Sequence, residues 1–232
     1  MIISFWSRLL DFVSPRLCVV CGRRLTITEQ VICASCNMHL PRTGFQRDPL
    51  ENIMAKMFWG RIPVERAAAL FYYEAGAQAD QIVYDLKYHD SPEIGEMMGR
   101  LMAREFMGDG FFEGIDVIVP VPLSRKRQRQ RGYNQSAELA TGISEVTGLP
   151  VCTKAVRRTH FSKSQTQLHH WERRDNVDGA FLLKKPELLR NRHVLLVDDV
   201  VTTGATMVAC VREILKAEGV NISLISLGFT KS

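Results

Sequence analysis

Val194-Leu-Leu-Val-Asp-Asp-Val-Val-Thr-Thr-Gly-Ala-Thr206 is the stretch on which the reading of this chain turns. Its four leading apolar residues have the pattern of a strand buried on both faces in a parallel sheet. They run into two carboxylates, Asp198 and Asp199, then into a loop of small and hydroxyl residues, then into a helix. Thr202, Thr203 and Thr206 offer hydroxyls, and Gly204 lets the backbone approach a ligand closely. The amides that open the next helix, with Ala205 among them, face outward at the positive end of its dipole. Such a loop is a cradle for a phosphate monoester. Asp198 and Asp199 stand at the carboxyl end of the strand, the side on which open α/β sheets bind ligands, and carboxylates there accept hydrogen bonds from two sugar hydroxyls. A phosphate beside a diol reads as a ribose phosphate. The plainer alternative, paired acids that merely cap a helix, leaves the three threonines unexplained. The chain has no G-x-x-x-x-G-K-[ST] and no G-x-G-x-x-G, which sets aside a P-loop nucleotide hydrolase and a dinucleotide site.

Outward from this stretch, strands alternate with helices. Asp116–Pro120 and Ile222–Leu227 are further short apolar runs bounded by turn residues, and a helix from about Thr206 to Ala217 ends near Gly219. Upstream, Ala67–Tyr73 reads as a strand, and Ala77–Tyr88 as a helix with Ile82, Val83 and Leu86 on one face. A second helix from Glu93 to Phe106 has Ser91 as its expected N-cap and Pro92 in its first position, with Gly108 and Gly110 beyond its end. This alternation predicts an α/β domain with right-handed crossovers. Residues 41–62 mix Pro, Gly and Asn with apolar positions and read as a linker packed on the core, with no clear chemistry.

The chain has 232 residues, 46% apolar and 24% charged, a length that supports one full core and a small satellite. No apolar run approaches the length of a membrane span. Residues 1–14 read as a short amphipathic helix rather than a secretory signal, because Arg8 and Asp11 interrupt the apolar residues and no small-residue cleavage site follows. Of the six cysteines, four form two C-x-x-C pairs, Cys18/Cys21 and Cys33/Cys36, with Gly22 placed for a knuckle turn. Without an export signal the chain is expected in the reducing cytoplasm, so zinc is preferred to disulfides, and four thiolates with no open position make a structural zinc site. Cys152 and Cys210 are single and read as small core residues.

The formal charge of +5 is modest but clustered. Arg125, Lys126, Arg127, Arg129 and Arg131 form a basic loop before Gly132-Tyr-Asn-Gln-Ser136, which opens a helix; diphosphate binding and plain solvation are both open for it. Single-stranded nucleic acid is a further candidate, because basic grooves with aromatics such as Tyr133 nearby bind such strands. Between Arg157 and Phe181 the chain is polar and weakly periodic, and His160, His169 and His170 there read as solvated residues.

The Val194–Thr206 stretch resembles, in every position, the phosphoribosyl-diphosphate (PRPP) fingerprint of the type I phosphoribosyltransferases. The whole succession is similar to the ComF family of competence-related proteins. It runs from the four-cysteine ribbon through Leu86-Lys-Tyr88, Pro120-Val-Pro-Leu123, Arg131-Gly-Tyr-Asn-Gln135, and Gln167 with Arg173-Arg-Asp-Asn176, to the fingerprint. This resemblance implies a type I phosphoribosyltransferase fold, an α/β domain with a mostly parallel sheet, over residues 46–232, behind a small zinc ribbon at 15–45. It implies that Val121, Pro122 and Leu123 hold the diphosphate, with Arg131 as charge partner and Mg²⁺ accompanying PRPP. It also implies that Arg157, Arg158, Gln165, Arg173 and Arg174 belong to a flexible hood. The expected activity is displacement of diphosphate from PRPP by an acceptor the residues do not identify. The expected setting is uptake of transforming DNA, with single-stranded DNA and a competence helicase as partners. The alternative is a PRPP-binding accessory protein without catalysis.

Overall fold

Strand pairing places the Val194–Thr206 stretch at the centre of the molecule. The computed structural model describes residues 15–88, 91–159 and 179–231; the N-terminal helix expected over 1–14 and most of the expected hood lie outside them. A four-stranded parallel sheet is built from β1 (Arg66–Tyr72), β2 (Val117–Pro120), β5 (His193–Val201) and β6 (Asn221–Phe229), in the order β1-β6-β5-β2. A small antiparallel pair, β3 (Val156–Arg158) and β4 (Phe181–Leu183), stands apart from it. The central strands are buried along nearly their whole length, as sheets covered by helices on both faces require.

The strand expected at Val194–Val197 runs on to Val201, and this extension matters for the site. β6 follows it, with Asp198 opposite Ser226 and Val201 opposite Phe229. β2 does not: its pairing ends with Pro120 opposite Val197, and Val121 N donates a last bond to Val197 O. A proline supplies no ladder donor, so the strand turns away there. The flank of β5 that carries the acids is thereby left open.

Among the described residues, seven α-helices cover the sheet and its appendix: α1 (Ala34–Met38), α2 (Ile53–Phe58), α3 (Asp80–Tyr88), α4 (Pro92–Met107), α5 (Arg125–Arg131), α6 (Gln135–Thr147) and α7 (Ala205–Ile214). Ile82, Val83 and Leu86 form the buried face of α3. Pro92 opens α4 as expected, but the Ser91 side chain makes no cap hydrogen bond. Helices α4 and α6 pack backbone to backbone. A Cβ at Gly142 would lie 1.9 Å from Glu96 O, and one at Gly99 would lie 2.2 Å from Leu139 O, so these contacts admit only glycine.

The segment read as a linker is a stitched edge. Tyr72 N donates to Pro41 O, Thr43 N to Leu70 O and Ala67 N to Pro49 O, so residues 41–49 cover the open side of β1. Covering an edge strand in this way removes a site of non-native pairing. Asn52 caps α2 and also donates to Ala67 O, which fixes Phe58 in the core. The cysteine module joins the α/β body through Arg42, which donates to Asn37 Oδ1 and pairs with Glu105 on α4.

Candidate functional site

Asp198 and Asp199 face an open cleft of about 1030 Å³ at the carboxyl end of the sheet. Asp198 is 9% exposed. Its Oδ1 accepts from Ser136 Oγ at 3.0 Å and from the Asp199 amide at 2.9 Å. Burial, and then the negative charge of Asp199, push the Asp198 carboxyl up to about 7, against those two donors and Lys87. Asp199 Oδ1 accepts from Val200 N at 2.7 Å, and its Oδ2 pairs with Lys87 Nζ at 3.2 Å. The two acids are thus held in different environments, one nearly buried and one ion-paired.

The phosphate loop follows directly. Gly204 takes a φ of +71° as the N-cap of α7, and a Cβ there would lie 2.7 Å from Phe58 Cε1. Both constraints call for glycine. Thr202 and Thr203 are exposed, Thr203 Oγ1 accepts from Ala205 N, and Thr206 lines the cleft. Hydroxyls over the N-terminus of a ten-residue helix can offer hydrogen-bond donors to an anion.

Across the cleft stand Val121, Pro122 and Leu123, where β2 has left the sheet, and beyond them α5. The basic run is a helix rather than a loop: Ser124 caps it through the Arg127 amide, and Gly132, at φ +78°, ends it. Arg127, Arg129, Gln130 and Arg131 line the cleft, the long arginine side chains reaching it from more than one face of this short helix. Arg131 Nη1 donates to Gln135 Oε1 at 3.0 Å, and its guanidinium lies over the Tyr88 ring at 5.3 Å. Gln135 is 2% exposed, and its Nε2 has no hydrogen-bond partner among the described residues. A buried donor without a partner carries a desolvation cost that a water or a ligand atom would relieve.

Of the residues assigned to the hood, Arg157 and Arg158 lie on β3, while Gln165, Arg173 and Arg174 lie outside the described residues, as do the three histidines. Strand alternation separates the first two: Arg158 lines the cleft and Arg157 is exposed away from it. Burial, and then Arg127 nearby, hold the Arg158 guanidinium below its usual range. Tyr133 is not a cleft aromatic. It is buried, with its hydroxyl donating to Leu86 O, and the exposed rings at the site are Tyr88 and its neighbour Tyr84.

Five contributors carried no sequence signal of their own. Lys87 stood out only inside a motif, and Ser136 and Gln135 only as a helix start. Arg61 lies in the supposed linker, yet its Nη1 donates to Thr203 O at 2.9 Å, and Phe58 braces Gly204. Nothing local marks contacts between residues 142 positions apart.

At the other end of the chain, the ligand atoms of Cys18, Cys21, Cys33 and Cys36 all lie within 4.8 Å of one another, with Cys21 Sγ and Cys33 Sγ 3.8 Å apart. Four sulfurs at about 2.3 Å from a tetrahedral ion lie about 3.8 Å from each other, so the cluster fits a zinc ribbon. The Cys33 and Cys36 amides donate to Cys18 Sγ and Cys33 Sγ, and Gly22 at φ +69° makes the knuckle turn. Glu29 locks the intervening loop by accepting from Thr26 N and Ala34 N at 2.7 Å each.

The chain matches the family model described as phosphoribosyl transferase domain over residues 86–228. It is 30% identical over 209 residues to the DNA utilization protein YhgH of Escherichia coli (strain K12), covering 86% of this chain and 84% of that one. It is 40% identical over 94 residues to Competence protein F of Haemophilus influenzae, covering 40% of this chain and 41% of that one. To Competence protein ComFC of Bacillus subtilis it is 27% identical over 112 residues, 48% of this chain and 43% of the other. With the open acid pair, the threonine-glycine loop and the four-cysteine module in place, the chain belongs to the phosphoribosyl transferase domain family, among its ComF-type competence proteins.

Proposed function

We propose that the cleft binds PRPP with Mg²⁺ and that the chain transfers its phosphoribosyl group to an acceptor, releasing diphosphate, in a role tied to the handling of DNA during uptake. One observation carries this reading: the acid pair on β5, Thr206 in the first turn of α7 and the loop after β2 line a single cleft, with Thr202 and Thr203 exposed beside it. The 5′-phosphate takes the amides and hydroxyls of residues 202–206, the ribose hydroxyls take Asp198 and Asp199, and the diphosphate extends toward Val121–Leu123 and Arg131. A bond forms between the acceptor's nucleophilic atom and the anomeric carbon while the bond from that carbon to the diphosphate oxygen breaks, and the electron pair leaves with the diphosphate. The cation supplies charge neutralisation for the leaving group. The chain's own residues orient the sugar, and Lys87, Arg131 and Arg158 surround the departing charge.

Structural zinc in the ribbon and a cytoplasmic setting belong to the same proposal. In support, the six cysteines are unpaired, and among the described residues no helix is long and apolar enough to cross a membrane. Calorimetric titration of PRPP with and without Mg²⁺, into the wild type and into Asp198→Ala/Asp199→Ala, tests the central claim. Mg²⁺-dependent binding lost in the double variant is expected. No binding to the wild type overturns it.

A second reading, a non-catalytic accessory protein that holds PRPP and engages single-stranded DNA or a helicase, is favoured by the basic helix α5 beside the exposed Tyr84–Tyr88 pair. Arg127→Ala/Arg129→Ala is then expected to weaken binding of a single-stranded oligonucleotide and to flatten its dependence on salt. Unchanged binding removes this reading.

A further inference from the structure

Lys87 holds a place that the ligand itself must claim. It sits in the last turn of α3, and its position is braced on both sides. Tyr133 Oη donates to Leu86 O at 2.7 Å, tying the end of α3 to the segment that leads into α6. Tyr88, next in sequence, lies under the Arg131 guanidinium. The ammonium is thereby delivered to Asp199 Oδ2, with both side chains about four-fifths buried, at 24% and 18% exposure. Among the described residues this is the one ion pair made by the acid pair.

The other carboxylate oxygens show why this contact is exchangeable. Asp198 Oδ1 is held by Ser136 Oγ and the Asp199 amide, and Asp199 Oδ1 by the Val200 amide. These partners are two backbone amides and the hydroxyl of the buried Ser136, all fixed by the fold. The oxygen offered to Lys87 is the one whose partner is a long, flexible side chain. Lys87 lines the same cleft as Val121, Pro122, Leu123 and Arg131, so its ammonium can swing between the acids and the opposite wall. A lysine suits this exchange because its charge is a point on a four-carbon stem rather than a rigid fork.

We infer that Lys87 is an exchange cation: it neutralises Asp199 in the empty cleft and transfers to the diphosphate when PRPP delivers its ribose hydroxyls to the acids. The inference rests on the PRPP reading above and adds to it the group that couples sugar recognition to diphosphate recognition. Removal of the charge has opposite consequences for two ligands. PRPP loses a cation for its diphosphate. Ribose 5-phosphate, which has the hydroxyls and the 5′-phosphate but no diphosphate, meets an acid pair no longer occupied.

The test is calorimetry of PRPP with Mg²⁺ and of ribose 5-phosphate, each into wild type, Lys87→Met and Lys87→Arg, with thermal unfolding to show that each variant is folded. Lys87→Met is expected to weaken PRPP at least about tenfold, as loss of a charge-assisted contact to a phosphate would, and to bind ribose 5-phosphate as tightly as wild type or more tightly. Lys87→Arg, which keeps the charge, is expected to recover most of the PRPP affinity. A merely structural lysine would weaken both ligands together, and that result overturns the inference. So does unchanged PRPP binding in Lys87→Met, which leaves the PRPP reading intact. A wild type that binds PRPP not at all overturns the reading and the inference with it.

Discussion

Ser136 Oγ lies 3.0 Å from Asp198 Oδ1 and joins the first turn of α6 to β5, one of the two central strands of the sheet. This bond crosses 62 residues and connects the helix behind the basic segment to the acid pair. The two walls of the cleft are therefore one hydrogen-bonded unit, and a change in Asp198 is felt on both.

The Asp198 carboxyl is pushed up to about 7 by burial and by Asp199, with Lys87 and Ser136 opposing. An unfolded chain releases this proton near pH 4. Between those values the folded state binds more protons than the unfolded one, so this group destabilises the protein progressively as pH rises from about 4 to about 7. Asp198→Asn is expected to leave thermal stability near pH 4 unchanged and to raise it above pH 7, by about 2 to 4 °C for each kcal/mol recovered in a chain of this size. Melting curves across this range check it. An equal shift at both ends contradicts the assignment.

Gly204→Ala introduces a side chain at φ +71° and at 2.7 Å from Phe58 Cε1. The loop must move away from α2, which disturbs the amides that form the phosphate cradle. PRPP affinity is expected to fall by about tenfold or more with the fold retained, because conformational strain of this kind costs about 1 to 3 kcal/mol. Titration alongside a melting curve distinguishes the local effect from unfolding.

Gln135→Leu removes the amide nitrogen that has no partner in the cleft wall. A buried donor without a partner costs about 1 to 3 kcal/mol, so the ligand-free protein is expected to hold or gain stability while PRPP binding weakens. The variant also removes the Oε1 that accepts from Arg131 Nη1, and only the stacking on Tyr88 is left to hold that guanidinium. A loss of stability with unchanged binding would assign Gln135 to the core instead.

Cys33→Ser is expected to reduce zinc from one ion per chain to none, measured by elemental analysis. Cys33 is buried, and its Sγ also caps α1, so the ribbon is expected to unfold locally and expose the Arg42–Glu105 seam to protease. PRPP binding is expected to persist, because the acid pair and phosphate loop make no contact with the cysteines.

The parallel strands, the acid pair at the strand end, the threonine-glycine loop before a helix and the cysteine pairs were legible in the sequence because each is a local pattern. Burial on both faces of a strand writes itself as a continuous apolar run, a phosphate loop needs its hydroxyls and glycine within a few positions, and a ribbon needs paired thiols. Boundaries were less secure: the strand at Val194 runs four residues beyond its apolar core, because β6 continues to pair with it after the side chains become polar. The basic run became a helix because its Ser124 cap and Gly132 stop outweigh the mutual repulsion of its charges.

Tertiary structure alone decided the rest. Arg61 reaches Thr203 across 142 residues, Ser136 reaches Asp198 across 62, and Lys87 meets Asp199 because Tyr133 fixes the end of its helix. Such contacts have no period and no spacing in the chain. They exist because β2 turns away at Pro120 and leaves one flank of β5 open, so that helices distant in sequence can bring their side chains to the same two carboxylates.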